Sequence, residues 1–571
     1  MILKNIYRKL RLFCFILLIV TVSSNSTLFA QPFTKQQLID EFDKLLSGKF
    51  KSGPGCAVLV AQKGEIIYKK AIGMANMELK VPLQPDMVFR LASLTKEFTA
   101  VAILQLVEQG KISLTDNITK YIPEYPTQNY TITIENLLTH TSGIKDLNAI
   151  IEFNLNRRKD YQLIELIDLI KKQPLIFAPG TKCKYSNSGF IILGYIIELV
   201  SGKPYADYLE ENIFRPAGMK NTCYDNTEKI IVNRVSGYSP VKNVIQNAPY
   251  ESMISAFSAG GLMSTVDDLY KWTQALYQYK IIKKETLENA TKPYTLSDGS
   301  VTDYGYGFFL GNIQGSREVY HPGGVSGFQS FTTYLPDEDV LVAMLTNCNG
   351  SFDYVAERLA ALTIGKPYPK EIQIDKNILY LYTGVYENTK DDQLIFVIEN
   401  DKLIMMRAEG GKSNIINSGG TRNTLFAHQN NKFFNSSSLA NIEFITGDSG
   451  KVVKMNFSNR QTINEIYFKT NKPIPVKKEK IEIKVDEKIL GTYVGEYELV
   501  KDLTLNILLE NGKLFILTKG QPKNEIFAES ENKFFFKNFE SQIEFIKDET
   551  GKISKLILYN PDGQTTHNRI K

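Results

Sequence analysis

The rhythm of apolar and polar positions changes along the chain, and the changes mark its elements. Leu38, Phe42, Leu45 and Leu46 recur at helical spacing after Thr34 and stop at Gly48, which predicts an amphipathic helix. Cys56-Ala-Val-Leu-Val-Ala61, a Lys63-Gly64 turn and Glu65-Ile-Ile-Tyr68 read as a β-hairpin. Phe89-Arg90 leads into a second helical pattern, Leu94, Phe98, Val101, Leu104 and Leu106, closed by Gly110. The region to residue 230 is largely helical, and Val266 to Tyr277 forms a further helix with Thr265 as its cap. Strand patterns then return at Gly305–Leu310, Glu318–Gly324, Gln329–Leu335 and Val340–Thr346, before a last helix from Tyr354 to Leu362 that ends at Gly365. Strands at both ends with helices between them predict an α+β sandwich. One antiparallel sheet would be flanked by helices, with a helical subdomain beside it and a cleft between the two parts.

Beyond Lys366-Pro-Tyr-Pro369 the pattern becomes short alternating strands, and it occurs twice. Tyr382-Thr-Gly-Val-Tyr386 aligns with Tyr493-Val-Gly-Glu-Tyr497, and Lys402-Leu403 with Lys513-Leu514. Asn431-Lys-Phe-Phe434 aligns with Asn532-Lys-Phe-Phe535, and Glu443-Phe-Ile445 with Glu544-Phe-Ile546, at a shorter offset that implies a deletion. Lys472-Pro-Ile-Pro475 repeats the linker. Two small all-β modules, barrel or lipocalin-like, are expected. The domain plan is therefore a segment 1–30, a first domain 31–365, a linker 366–376, a repeat 377–470, a linker 471–487 and a second repeat 488–571. Neither repeat clusters acids, His or Cys, so packing or spacing is their simplest role; contact with glycan or cell wall, or partial cover of the cleft, remains open.

Composition narrows the class. A chain of 571 residues exceeds one core. Lys4, Arg8, Lys9 and Arg11 precede an apolar run from Leu12 to Val22 and the small residue Ala30, the layout of a secretory signal, so a periplasmic or secreted protein is expected. Without those four cations the formal charge of +5 falls to +1, which gives no reason to expect nucleic acid or an anionic membrane as partner. Cys56, Cys183, Cys223 and Cys348 are too widely spaced for a disulfide framework, and four histidines make a metal site improbable; no cofactor is implied.

The candidate chemistry starts at Ser93-Leu-Thr-Lys96, where both side chains share one face at the start of the second helix. A serine hydroxyl needs a neighbouring base, and an amine in a dry pocket near a helix N-terminus gives up its proton more easily. The same spacing at Ser530-Glu-Asn-Lys533 lies before a Phe-rich strand and has no such setting. With Tyr185-Ser-Asn187 and His321-Pro-Gly323, the chain resembles the serine β-lactamases and penicillin-binding proteins. The likeness is to their class C-like branch of esterases, D-amino-acid peptidases and carboxypeptidases, over residues 36 to 365. Leu137-Leu-Thr-His-Thr-Ser-Gly143, Ala259-Gly-Gly-Leu-Met-Ser264 and Tyr304-Gly-Tyr-Gly307 extend the likeness.

The resemblance implies an exported serine hydrolase that forms an acyl-enzyme on Ser93. Its substrate would be a short-chain ester, a D-amino-acid peptide or a peptidoglycan fragment. A penicillin-binding or sensor protein with little turnover, or a β-lactamase, is the alternative. Lys96 and Tyr185 would be the base pair, as a phenolate beside an ammonium, and Asn187 would hold the acyl amide. His321 would orient Tyr185 or meet the polar end of the substrate. The backbone N–H groups of Ser93 and Gly324 would form the oxyanion hole beside Gly323, each such donor contributing ~3 kcal/mol. His140 is expected to stabilise its loop. Many relatives carry Lys-Thr-Gly where this chain has His321-Pro-Gly323, so the cleft is expected to lack a fixed positive charge, which favours esters or uncharged amides. Residues 31–365 are expected to fold and act alone.

Overall fold

Six strands drawn from both ends of the first domain make one antiparallel sheet. The structure is a computed structural model. It describes residues 33–571 except 51–52, 227, 242–243, 351–352, 390–391, 408–421, 436–438, 463, 476–479, 501–502, 519–522, 538–540 and 561–562. The N-terminal segment read as a signal lies outside the described residues. Helix α1 (Lys35–Lys49) opens with a capping box between Thr34 and Gln37. The hairpin β1 (Cys56–Gln62) and β2 (Glu65–Ile72) follows, then α2 (Thr95–Glu108), α3 (Asn187–Ser201) and α4 (Val266–Tyr277). The chain re-enters the sheet through β3 (Phe309–Ile313), β4 (Ser316–Val325), β5 (Phe328–Leu335) and β6 (Val340–Thr346), and α5 (Asp353–Thr363) closes the domain.

The strand order is β3-β4-β5-β6-β1-β2. Strand β6 is apolar almost throughout and buried at every position because it is central and covered on both faces. On one face, Val58, Val60, Phe331 and Val342 pack against Phe42 and Leu46 of α1 and Val355 and Leu359 of α5. On the other, Ala57, Leu59, Ala343 and Leu345 meet Phe98 and Val101 of α2 and Trp272 of α4. This is the predicted layered architecture. Among the described residues no helix is long and apolar enough to cross a membrane.

Each C-terminal repeat is an eight-stranded, barrel-like module. The first is a closed barrel from β7 (Gly384–Glu387) to β14 (Glu465–Lys469), with β13 (Val452–Ser458) before the last strand. The second runs from β15 (Gly495–Val500) to β22 (Gly563–Asn568), and its two ends meet at a Tyr497–Arg569 bridge. The aligned residues make the same contacts. Tyr386 and Tyr497 donate their hydroxyls to the carbonyls of Tyr382 and Tyr493, and those two rings stack on Phe444 and Phe545 at 4.4 and 4.3 Å. Asn431 and Asn532 each bond the carbonyl of that phenylalanine.

The first barrel joins the first domain by one deep contact. Arg460, between β13 and β14, places Nε 2.7 Å from Oε2 and Nη2 2.6 Å from Oε1 of Glu318 on β4, and Nη1 2.5 Å from Glu357 on α5. Glu318 and Glu357 are buried, and the Arg460 carbonyl accepts the Asn312 backbone N–H at 2.8 Å. A two-oxygen arginine–carboxylate pair is directional, and truncating one member of a buried pair leaves charge uncompensated. A chain ending at residue 365, expected from the sequence to fold and act alone, would lose the cation that these two buried carboxylates share. Arg460→Ala is expected to lower stability by about 3–5 kcal/mol, read as an earlier denaturant midpoint for the first domain. An unchanged midpoint would show that the contact is dispensable.

Candidate active site

Ser93 lies where a strand becomes a helix. Phe89–Arg90 pairs with Leu262–Ser264, and the chain then turns through the 3₁₀ segment Ala92–Leu94 into α2. Ala92 adopts φ +50°, a left-handed conformation that costs a residue with a Cβ about 1–2 kcal/mol. Bonds on both sides of Leu91 hold the turn: its N–H donates to the Leu262 carbonyl at 2.8 Å, and its carbonyl accepts from the Ser330 hydroxyl. The consequence is a serine that is partly exposed between two buried neighbours. Strand β4 runs alongside. A Cβ at Gly323 would come 2.3 Å from the Leu91 carbonyl and 3.1 Å from the Ser93 nitrogen, so only glycine lets the strand approach this closely. Gly324, the next residue, opens onto the cleft.

Lys96 is fully buried in the first turn of α2, three residues after Ser93. Its Nζ lies 2.8 Å from Asn187 Oδ1, 2.8 Å from the Ala259 carbonyl and 3.1 Å from Ser93 Oγ. The first two partners can only accept. An uncharged amine fills them with its two N–H groups and turns its lone pair to the Ser93 hydroxyl. Burial pulls the Lys96 pKa down to about 7, against a smaller opposing pull from Asp146. Burial also raises the Tyr185 pKa far above the ordinary tyrosine value, and a hydrogen bond to Ser93 offsets part of the rise. The expected phenolate beside an ammonium is therefore corrected. Low polarity pushes both groups toward their neutral forms, and the amine is the basic member. Asn187 is fixed in turn by Asp146, whose Oδ1 accepts the Asn187 backbone N–H at 2.8 Å.

His321 departs from expectation. It is wholly buried on β4, with Nδ1 2.7 Å from the Pro322 carbonyl and Nε2 3.1 Å from the Tyr304 hydroxyl. The carbonyl only accepts, so Nδ1 carries the proton and Nε2 accepts from Tyr304. Burial lowers its pKa to about 3. Its hydrogen bond goes to Tyr304 rather than to Tyr185. His140 holds its loop by accepting the Ser186 N–H on Nδ1 at 3.2 Å, and its ring packs 4.3 Å from that of Tyr185.

Ser93, Asn187 and Gly324 line one cleft of about 290 Å³. A larger cavity, about 600 Å³ between Phe33, Lys63, Asp337 and Ile364, holds none of these groups. Arg157 and Glu251, which no motif singled out, also line the cleft. Arg157 binds Glu251 at 2.8 Å, Asn148 at 2.9 Å and Asn154 at 2.8 Å, so a fixed positive charge is present after all, engaged by protein acceptors. No pattern around Arg157 signals this; only the fold brings it across from Ser93. Tyr304 was quoted as part of a motif, but its pairing with His321 depends on strand register. Ser530 and Lys533 sit at a hairpin of the second barrel, where Ser530 accepts the Lys533 backbone N–H. Among the described residues no group of three His, Cys, Asp or Glu is placed to hold a metal.

A family model described as beta-lactamase matches residues 37–365, and one described as a domain of unknown function, DUF3471, matches residues 479–569. The chain is 30% identical to penicillin-binding protein 4* of Bacillus subtilis over 418 residues, 68% of this chain and 90% of that protein. An octameric penicillin-binding protein homologue from Pyrococcus abyssi superposes with a TM-score of 0.54 at 26% identity, covering 76% of this chain and all of that one. The D-amino acid amidase of Ochrobactrum anthropi SV3, solved with L-phenylalanine amide, gives 0.50 at 25% identity over 58% of this chain and 97% of that one.

The buried amine fixes a pH response. Lys96 is a base only when unprotonated, so acylation of Ser93 by a fluorophosphonate is expected to speed up about tenfold per pH unit below neutrality. It should level off above about 7. A flat profile would show that Lys96 is not the base.

Proposed function

The chain belongs to the beta-lactamase family, and from that premise we propose that it is an exported serine hydrolase that works through an acyl-enzyme on Ser93. The observation that carries the proposal is the buried Lys96, whose Nζ lies 3.1 Å from Ser93 Oγ while its other two partners, Asn187 Oδ1 and the Ala259 carbonyl, can only accept. In the first step Ser93 Oγ bonds to the substrate carbonyl carbon as its proton passes to Lys96 Nζ. The carbonyl oxygen takes up negative charge against the N–H groups of Ser93 and Gly324. As the tetrahedral species collapses, the bond to the leaving group breaks, and the proton returns to that group through Lys96 and the Tyr185 hydroxyl. Water then reverses the sequence and frees the acid. Asn187 serves twice in this scheme, holding the amine and offering its amide to the acyl group. Export is supported by the basic and apolar N-terminal sequence.

The substrate class we favour is an ester or amide without an essential carboxylate, D-aminoacyl amides included. Three observations support it. His321 is uncharged and wholly buried, and the Arg157 guanidinium is already engaged by Glu251, Asn148 and Asn154. Among the described residues, Glu251 Oε2 has only a long contact, 3.4 Å, with the Ser326 N–H, and so can accept from a substrate ammonium. Similarity to the D-amino acid amidase fits that reading. A carboxylate substrate forfeits a charged hydrogen bond of about 1.5–3 kcal/mol.

Fluorophosphonate labelling followed by peptide mapping is expected to mark Ser93; a label on Ser530, or none, would overturn the assignment. Lys96→Ala and Tyr185→Phe are each expected to lower kcat by at least about 100-fold with the fold intact. Near-normal turnover would remove that residue from the scheme. Short-chain p-nitrophenyl esters or D-amino-acid anilides should be cleaved with higher kcat/KM than nitrocefin. Comparable nitrocefin turnover would favour a β-lactamase, and a stable acyl-enzyme without turnover a penicillin-binding or sensor role.

A further inference from the structure

Five groups from separate elements stand one over the next. Arg460 of the first barrel lays its guanidinium carbon 3.4 Å from the centre of the Tyr320 ring on β4. Tyr320 stacks on Phe309 of β3, with centroids 5.3 Å apart and planes inclined by 24°. Phe309 lies nearly parallel to Tyr185, at 6.1 Å and 10°. Lys96 Nζ closes the far end, 4.8 Å from the centre of the Tyr185 ring. The column runs without a break from a cation in the barrel to the amine beside Ser93.

The two ends are held differently. Arg460 cannot withdraw, because Glu318 and Glu357 bind three of its nitrogens. Tyr185 belongs to a stretch, residues 182–186, that is neither helix nor strand. Its neighbours Lys184 and Ser186 donate their backbone N–H groups to the His140 carbonyl and ring at 2.9 and 3.2 Å, and the groups packed against the ring set its height between those two anchors. Ring faces attract both cations and other rings at these separations. A column pinned at one end therefore transmits position to the other.

We propose that Arg460 is a positioning residue for Tyr185: through Tyr320 and Phe309 the first barrel holds the Tyr185 ring where its hydroxyl reaches Ser93. The barrel is then a part of the hydrolase rather than a spacer attached to it. The inference rests on the reading of Ser93 and Tyr185 as reacting groups. It adds that a residue outside the first domain sets their geometry.

The test uses the full chain and counts competent sites by fluorophosphonate titration, so that loss of folded protein and loss of rate are separated. The first variant is the triple Arg460→Ala, Glu318→Gln, Glu357→Gln, which empties the end of the column without leaving a buried charge unopposed. The second is Tyr320→Leu, which breaks the column and leaves the Arg460 contacts in place; Tyr320→Phe keeps the ring. We expect kcat per titrated site to fall about 10- to 100-fold in the triple variant and in Tyr320→Leu, the size of effect a small misplacement produces. KM should stay within about twofold, as for a loss confined to the reacting geometry. Tyr320→Phe should match the wild type. Unchanged kcat per site in the triple variant overturns the proposal, and so does an equal loss in Tyr320→Phe. If the triple variant does not fold, Tyr320→Leu decides alone by the same criterion. A wild-type chain that takes no label at Ser93 overturns the hydrolase reading instead.

Discussion

A primary amine enclosed in protein is the constraint around which the first domain is arranged. Charged, Lys96 would need water or a nearby anion. The fold supplies an amide oxygen, a backbone carbonyl and a serine hydroxyl, all neutral, and so lowers the cost of losing the proton relative to keeping it. Everything that creates this enclosure also positions it. Helix α2 carries Lys96, the strained turn at Ala92 brings Ser93 within reach, and Asn187 arrives at the head of α3 fixed by Asp146. Exclusion of water matters as much as any single bond here, since an open channel to Nζ would restore the ordinary lysine pKa.

The surroundings follow the same rule of neutrality. His140 and His321 are buried, and burial with the nearby Lys96 keeps both from taking up protons. Tyr185 and Tyr304 keep theirs because burial penalises the phenolate. The result is a row of titratable side chains that hold fixed, uncharged states across the neutral range, with Lys96 as the member able to change. Charge reaches the cleft at Arg157 and Glu251, where each offsets the other.

Local pattern made much of this legible in the sequence. The hairpin, the Ser93 helix, three of the four returning strands and the paired Tyr-x-x-x-Tyr repeats are set by periodicity and turn residues and have their place in the structure, whereas the strand expected at Gly305–Leu310 starts only at Phe309 and runs to Ile313. Ser93, Asn187 and Gly324 meet at one cleft, with Lys96 bonded to Ser93 and Gly323 packed beneath it. What the sequence hid depends on register and docking. The side on which His321 projects follows from the pairing of β4 with β5 across Gly323 and Ser330, which no local pattern specifies. Arg157 sits in a segment with no helical or strand signature strong enough to aim it. The protonation order of Lys96 and Tyr185 is a property of burial, which emerges only after folding. Arg460 occupies a turn of a repeat that looks inert in isolation.

That turn also sets the two repeats apart. The repeats align strand for strand around it: Asn459, which precedes Arg460, corresponds to Asn560, and the next residue in the second copy is Pro561. The two copies therefore differ at the residue that joins the first of them to the hydrolase body. The first copy carries an arginine that binds two buried carboxylates of the first domain. The other keeps the Tyr497-to-Tyr493 bond and the Tyr493–Phe545 stack that any such barrel needs, but has no arginine at the corresponding point. The Glu318 and Glu357 carboxylates thus depend on the sequence of the first copy's turn.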